Sequence, residues 1–396
     1  MIAIKIFQSS CRIYACKTNS LSSFSTWRIR FAIALLCVSI CSCNSSDRKL
    51  SDVSDVPGNP DTRQEKVKGL DITQMNDVVS ICYSVWFNNV YRPSIYNITE
   101  IRKENPNDPQ WGPVHAFHYW AEPALGYYNS DNVDVIRTHL RQLQRAKVDF
   151  IILDFTNGLA SMLLEDAEVL CNTALELRQA GEDTPAIVFW CQNSADDRSS
   201  NGLKIYDLFY KSSKYDELFV YWSGKPFLIT TEDPIDANDQ SLSNNFTCRK
   251  MWGLQNTLAP REWSFLQDEP QNVAMNGSRA EQISVSIAHQ ETYMSYETAT
   301  TRRGGKTFQE QWRRVFSIRP KVVTITWWNE WMAQRFVDEN GATRFVDDYS
   351  REASRDIEPM KGGHGDLYYQ FMKTYIDAYK SHGDFPEDLV EKENYD

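Results

Sequence analysis

The chain has 396 residues, of which 42% are hydrophobic, 13% aromatic and 24% charged, with a formal net charge of −11 at pH 7. This composition predicts an ordered core and excludes general disorder. The acidic balance argues against nucleic acids and anionic glycans as partners, because like charges repel. Neutral carbohydrate remains compatible with such a surface.

The first 42 residues have the composition of a secretion signal. They contain five basic residues and no acidic one, and they include the apolar run from Phe31 to Ile40. A basic segment, a short apolar segment and small residues predict a signal peptide over residues 1–42. Removing it takes the formal charge from −11 to −16.

Ile40-Cys41-Ser42-Cys43 is similar to a bacterial lipobox. This likeness predicts Cys43 as the lipidated first residue of a protein anchored to a membrane of the bacterial cell envelope. An ordinary cleaved signal peptide is the alternative.

Residues 43–75 are polar, contain Pro and Gly, and lack periodicity, which predicts a tether. Residues 76–396 are then expected to form a single domain. Four cysteines remain there, and their spacing matches neither a zinc site nor a disulfide framework. They are interpreted as mostly buried thiols, at Cys82, Cys171, Cys191 and Cys248.

Apolar runs of strand type alternate with helical patterns along this domain. Eight runs are predicted as strands, at residues 78–83, 114–118, 148–153, 186–190, 226–230, 248–252, 283–288 and 322–326. Near-continuous apolar strands separated by helices are typical of a parallel sheet covered on both faces. Eight of them predict an α/β fold of the (β/α)₈ TIM-barrel type, with a doubly wound sheet as the alternative.

Four helices are predicted between and after these strands. Val133–Ala146 has apolar residues on one face behind Ser130 or Asp131 as cap, and Asp166–Gln179 runs into Gly181. Thr307-Phe-Gln-Glu310 matches a capping box at the start of a third helix that ends before Pro320. A closing helix is expected at about 366–379.

In a barrel of this type the reacting groups follow the carboxyl ends of the strands. The rim predicted in this way is rich in aromatic, amide and carboxylate side chains, which suit the C–H faces and hydroxyls of sugars. The predicted substrate-binding residues are Trp86, His118, Tyr119, Trp120, Asn157, Trp190, Gln192, Trp252, His289, Gln290, Trp327, Trp328, Asn329, Trp331 and Glu358. A buried core position is the alternative for four of these residues, His118, His289, Trp190 and Trp252.

Glycoside cleavage needs two carboxyl groups. Glu330 is the first candidate, because flanking indoles would desolvate it and raise its pKa, as general-acid catalysis requires. Asp154, at the end of an apolar strand, and Glu122, after an aromatic pair, are the other predicted catalytic residues. For all three the alternative is a structural carboxylate. No phosphate loop, nucleotide fingerprint or metal pair is found, so no cofactor and no metal are predicted.

Two segments resemble glycoside hydrolase family 99 and the family 71/99-like proteins. They are Gly126–Asp154 and Ile325-Thr-Trp-Trp-Asn-Glu-Trp331, and Ile357-Glu-Pro359 is also similar. The resemblance implies a (β/α)₈ barrel and an endo-acting, retaining α-mannosidase or mannanase. The family 71 likeness leaves an α-glucan substrate open.

The sequence departs from this family directly after Glu330. In the family the Asn-Glu-Trp motif continues with His-Glu, whose Glu is the acid/base, whereas Met332 and Ala333 stand here. Glu330 matches the first family Glu, which assists the sugar 2-hydroxyl. The missing acid is sought among Asp154, Glu122, Glu339 and Glu358.

Residues 332–356 resemble an insertion rich in Asp and Arg, and the following loop has two interpretations. It either binds a polar ligand or locks the last helix through pairs of Arg355 with Glu358. The sequence thus predicts an endo-acting glycoside hydrolase with an α-linked, mannan-like substrate. A non-catalytic glycan-binding lipoprotein is the alternative, and a structural or adhesive surface protein is a third hypothesis.

Overall fold

The structure is a computed structural model that describes residues 69–90, 92–236, 238–288, 292–293, 301–347 and 350–392. Within these ranges the strands are, in chain order, β1 (Leu70–Asp71), β2 (Val78–Tyr83), β3 (Phe117–Tyr119), β4 (Phe150–Phe155), β5 (Ala186–Cys191), β6 (Val220–Trp222), β7 (Lys225–Thr230), β8 (Thr247–Trp252), β9 (Glu262–Ser264), β10 (Ala274–Asn276), β11 (Arg279–Ser286), β12 (Val322–Thr326), β13 (Met332–Val337) and β14 (Thr343–Phe345). The α-helices are α1 (Ile98–Glu104), α2 (Val133–Arg145), α3 (Ser161–Gln179), α4 (Ser200–Ile205), α5 (Ser241–Asn245), α6 (Lys306–Ile318) and α7 (Leu367–Lys380). Short helices of other types cover Tyr206–Tyr210, Asp216–Leu218 and Arg303–Gly305.

A large central parallel sheet dominates the fold, as predicted. Eight of its strands are parallel, in the order β9-β8-β7-β5-β4-β2-β12-β11. The last of them in the chain, β12, lies beside the first, β2, which is not the arrangement of a doubly wound sheet. At the two ends of this series, the side chain of Gln282 in β11 donates to the carbonyl of Ser264 in β9 at 2.7 Å.

Both faces of this sheet are buried, because successive residues of each strand alternate between two apolar clusters. Val78, Ile152 and Val188 belong to an inner cluster that includes Trp190. Residues one position along, such as Val79 and Ile151, pack against α2, α3, α6 and α7. Strands buried on both faces read as continuous apolar runs, which is why the sequence located most of them.

One predicted strand is wrong, and one strand of the eight-stranded parallel series was missed. Residues 114 and 115 lie in a turn, with His115 at a φ of 70°, and only β3 follows. β3 pairs antiparallel with β13, which pairs antiparallel with β14, so the run at 114–118 is not part of the parallel sheet. The parallel strand that was missed is β9. It has three residues and begins with Glu262, which is buried and paired with Lys250 at 2.9 Å, so it gives no apolar run.

The helices follow the apolar periodicity, but two caps differ from prediction. Asn132, not Ser130 or Asp131, caps α2 by accepting from the backbone N–H of Asp134 and Val135. At α6 the predicted capping box is absent. Gly305 precedes this helix in a left-handed conformation with a φ of 94°. The hydroxyl of Thr307 donates to the carbonyl of Thr301 at 2.5 Å.

The folded region begins earlier than predicted. β1 pairs in parallel with β6, and the side chain of Ile72 is fully buried. The last residues of the predicted tether, from Gly69 onward, therefore belong to the fold. Cys43 and the predicted signal peptide lie outside the described residues.

The predicted closing helix is present as α7. Its Tyr375 stacks on Trp312 of α6, with ring centroids 5.6 Å apart. The cysteines Cys82, Cys171 and Cys191 are buried and Cys248 is half-buried, all as free thiols. In the described part of the chain, none of the helices combines the length and the hydropathy needed to span a bilayer.

Candidate active site

Glu330 lies just beyond the carboxyl end of β12, where Asn329 fixes the chain. The side-chain oxygen of Asn329 accepts the backbone N–H of Ser84 at 2.8 Å, and its amide donates to the Ser84 carbonyl at 3.1 Å. These two hydrogen bonds resemble those between paired strands, and they connect the ends of β2 and β12. Glu330 follows directly and is 7% exposed.

Arg355 holds Glu330 from one side. Its Nε and Nη2 both donate to Oε2 of Glu330, at 2.8 and 2.7 Å. Both of these bonds go to the same oxygen of Glu330. The backbone carbonyl of Arg355 accepts the N–H of Trp327 at 3.0 Å, so the guanidinium is anchored at the same strand end.

A second carboxylate, Asp347, contacts the same guanidinium. Its Oδ1 lies 3.1 Å from Nη2 of Arg355, the nitrogen that also contacts Glu330. Asp347 follows β14 and donates its backbone N–H to the carbonyl of Tyr293 at 3.1 Å.

Asp154 is the third carboxylate at this place. It lies near the end of β4, in register with Trp190 of β5. Its Oδ1 accepts the backbone N–H of Thr156 at 2.9 Å, and it is 9% exposed. Its negative charge contributes to the raised pKa values of both Cys82 and Glu330. Asp154, Glu330, Asp347 and Arg355 are called the carboxylate cluster below.

Burial governs the proton affinity of the cluster. It raises the pKa of Glu330 to about 8, although the neighbouring Arg355 opposes this and Asp347 and Asp154 add to it. Burial also raises the pKa of Asp154, against the hydrogen bonds from Thr156. The raised pKa favours the protonated form of Glu330 at neutral pH.

An aromatic wall adjoins the cluster. It consists of rings within about 6 Å of one another, at Trp190, Trp252, Phe265, Tyr293 and Trp327. Trp190 and Trp327 are almost wholly buried, whereas Trp252 is partly exposed and offers ring surface to a ligand. Indole faces of this kind stack on the apolar faces of sugar rings.

The other two tryptophans of the motif serve a buried network around Glu358. Trp331 and Tyr128 each donate to Oε2 of Glu358 at 2.6 Å, and His139 lies 2.9 Å from Oε1. Trp328 packs edge-on against His139. Glu358 is 1% exposed and does not pair with Arg355, so the predicted Arg355–Glu358 lock is wrong.

Several other predicted substrate-binding residues are packed away from solvent. His118 is fully buried between the carbonyls of Ala116 and Trp111, and burial lowers its pKa. Tyr119 and Trp120 are 1% exposed, and the indole of Trp120 donates to Asp356 at 2.7 Å.

The remaining predicted residues lie on the rim or outside the described residues. Trp86 is half-buried and stacked on Phe87. Asn157 is exposed and Gln192 half-buried, after β4 and β5. Glu122 is half-buried and forms an ion pair with Lys361. His289 and Gln290 lie outside the described residues.

Asp347 and Arg355 were not predicted as members of the site, nor were Phe265 and Tyr293. The sequence feature that could have indicated Asp347 and Arg355 is the Asp- and Arg-rich stretch 332–356, which was interpreted as an insertion. It forms the β13–β14 hairpin, whose return brings both residues back to Glu330. Ala333, at the expected acid position, is buried in β13 opposite His118. Glu339 is exposed at the hairpin turn.

The described residues contain no group of three or more His, Cys, Asp or Glu side chains arranged to hold a metal ion. The cluster itself pairs its carboxylates with a guanidinium. Such an arrangement suits proton transfer in a water-poor site.

The chain matches no protein-family profile, and no curated protein matches it. Among solved structures it is similar to two of the GH99 endo-α-mannosidase from Bacteroides thetaiotaomicron, one of them in complex with BIS-TRIS-propane. Their TM-scores are 0.50 and 0.51, at 13% identity over 78% of this chain and 98% of theirs. A glycoside hydrolase-like protein has a TM-score of 0.45 at 11% identity, covering 79% of this chain and 97% of its own. These likenesses concern the fold.

Proposed function

We propose that the protein is a glycoside hydrolase that cleaves a neutral polysaccharide or glycan within the chain. The observation that carries the proposal is the carboxylate cluster at the carboxyl ends of β4 and β12, beside an aromatic wall. The likeness in fold to two endo-α-mannosidase structures supports it. We also propose that the parallel sheet closes into a (β/α)₈ barrel through the contact of Gln282 with Ser264.

In this function Glu330 is the proton donor to the leaving glycosidic oxygen. Burial favours its protonated form at neutral pH, and proton transfer of this kind contributes about 10²–10⁴-fold to rate. A second carboxylate must act at the anomeric carbon. Asp154 and Asp347 are both near enough to influence Glu330.

The substrate class follows from the surroundings of the cluster. An acidic chain with a partly exposed Trp252 beside the carboxylates favours an uncharged sugar over an anionic one. An α-linked, mannan-like substrate is proposed from the resemblance of the strand-end motif and from the names of the structural neighbours.

A non-catalytic glycan-binding protein is the second candidate. Arg355 places two N–H donors on Glu330 Oε2, and Ala333 supplies no acid. A binder would keep the aromatic wall and use Glu330 only as a hydroxyl acceptor.

The test is a product screen with the purified protein and its Glu330→Gln variant. Yeast mannan, α-1,3-glucan and a panel of host and plant glycans are the substrates. We expect oligosaccharides from the wild type alone, with affinity for the glycan within a few-fold in the variant. Equal release by both proteins would remove Glu330 from the mechanism. Binding without release by either would establish the second candidate.

We also propose that Cys43 carries a lipid that anchors the protein in the bacterial cell envelope. The lipobox-like sequence before it supports this proposal.

A further inference from the structure

One nitrogen atom fixes the distance between two carboxylates of the cluster. Nη2 of Arg355 lies 2.7 Å from Oε2 of Glu330 and 3.1 Å from Oδ1 of Asp347, so these oxygens are at most about 6 Å apart. Carboxyl pairs that act by direct attack are about 5–5.5 Å apart, whereas pairs that admit a water are about 6.5–9.5 Å apart. The upper bound of about 6 Å between these two oxygens is shorter than the separation in pairs that admit a water, so it favours direct attack.

Asp347 is also the more accessible partner. Its side chain is 23% exposed, against 9% for Glu330. Asp154 instead lies on the strand itself, with Oδ1 engaged by the Thr156 N–H. Its charge affects Glu330 less than that of Asp347 does.

This inference rests on the proposed function. We propose that Asp347 is the second reacting carboxylate, which attacks the anomeric carbon, and that Arg355 is a positioning residue that sets its distance from Glu330. Asp154 then contributes to sugar binding and to the charge of the site.

The reaction balances with these two groups and water. The bond from the anomeric carbon to the leaving oxygen breaks, its electron pair stays on that oxygen, and Glu330 gives it a proton. An oxygen of Asp347 forms an ester with the anomeric carbon. Water then attacks that carbon, its proton passes to Glu330, and Asp347 leaves as a carboxylate. The sugar keeps its anomeric configuration.

The experiment uses the full protein with yeast mannan, or with the polysaccharide that the product screen identifies. Asp347→Asn should lower kcat by at least about 10²-fold. In Asp347→Ala, azide should restore bond cleavage and yield a glycosyl azide of inverted configuration, seen by NMR. Asp338→Asn is the matched control, because Asp338 lies on the same hairpin and pairs with Arg344. It should behave as wild type.

Azide rescue requires a folded site, so it separates a reacting carboxylate from one that only supports the fold. Loss of activity without rescue, rescue in Asp154→Ala instead, or inversion by the wild type would each overturn the assignment. Kinetics of Asp347→Asn close to those of wild type would also overturn it while leaving the hydrolase function intact. A wild type that cleaves nothing removes the proposed function, and the role of Asp347 falls with it.

Discussion

Glu330 is subject to two opposing influences. Burial favours its neutral form, whereas the guanidinium of Arg355 favours the carboxylate, and burial has the larger effect. Asp347 and Asp154 add to burial because a third negative charge nearby is unfavourable. The proton on Glu330 therefore depends on the whole cluster.

The pH dependence of activity should follow this balance. If Glu330 donates the proton, the hydrolysis rate falls as pH rises through about 8, because the donor loses its proton. Arg355→Gln removes the group that lowers this pKa, so the alkaline limb of kcat/KM should move to higher pH. Arg344→Gln, on the neighbouring hairpin strand, is the control. A limb that moves to lower pH in Arg355→Gln would contradict this role of Arg355.

The sequence indicated Glu330 and Asp154 as candidates because both come at or just after the end of an apolar run. Asp347 and Arg355 have no such marker. Their position depends on the return of a hairpin, and no local pattern encodes where a hairpin ends in space. The buried environment of Glu358 could not be predicted from the sequence either, because its hydrogen-bond partners lie far away along the chain, at positions 128, 139 and 331.

At the scale of elements, the segment after the hairpin is fixed on both sides of Arg355. The fully buried Arg302 donates to the hydroxyl of Ser354 at 2.6 Å, and Glu358 donates its backbone N–H to the Trp328 carbonyl at 2.8 Å. The Glu358 carboxylate then joins this segment to α2 and to the end of β12.

Glu358→Ala should therefore destabilise the fold strongly. It leaves three buried donors or charge partners without their acceptor, a change that costs about 3–5 kcal/mol. Urea unfolding measures the loss. Glu339→Ala, at the exposed hairpin turn, is the control and should stay within about 0.5 kcal/mol of wild type. Equal stability of the two variants would show that the Glu358 network contributes little.

The strands and helices differ in how well their positions could be predicted from the sequence. Strands with long apolar runs and helices with a clear apolar face were predicted within a few residues. β9 was not, because its first residue is a buried, ion-paired Glu262. The run at 114–118 was wrongly predicted as a strand of the parallel sheet, because its residues belong to a turn and to an antiparallel strand.

Over the whole molecule, buried acids should make stability depend on pH. The folded protein raises the pKa of Glu330 to about 8, and burial raises the pKa values of the buried carboxyl groups Asp356 and Asp166 to about 7. In the unfolded chain such groups titrate near about 4. These three acids thus hold protons in the folded state that unfolding releases, and their contribution to the free energy of unfolding falls as pH rises from about 4 to about 8. His118 and His364 act in the opposite direction below about pH 6.5, because burial lowers their pKa values.

Urea midpoints measured from about pH 6.5 to about pH 8 should therefore decrease, because in this range the buried acids lose their protons while the histidines are mostly neutral in both states. Glu330→Gln cannot ionise, so the decrease should be smaller in that variant. A midpoint that rises over this range would contradict the raised pKa values.

The proposed anchor also belongs to the whole molecule. Cells fed radioactive palmitate should label the wild type and Cys41→Ser, but not Cys43→Ser. The unlabelled variant should leave the membrane fraction, because the lipid supplies the apolar contact with the bilayer. Label retained in Cys43→Ser would exclude Cys43 as the acceptor.

The β13–β14 hairpin leaves the strand end just after Glu330 and comes back with Asp347 and Arg355. Glu330 thus precedes the first strand of the hairpin, and Asp347 and Arg355 follow its second strand. The turn at 338–342 lies at the opposite end of the two strands. Length added at that turn would not change the distances among these three residues. The hairpin turn is therefore a natural position for an inserted loop or module that leaves the contacts among Glu330, Asp347 and Arg355 unchanged.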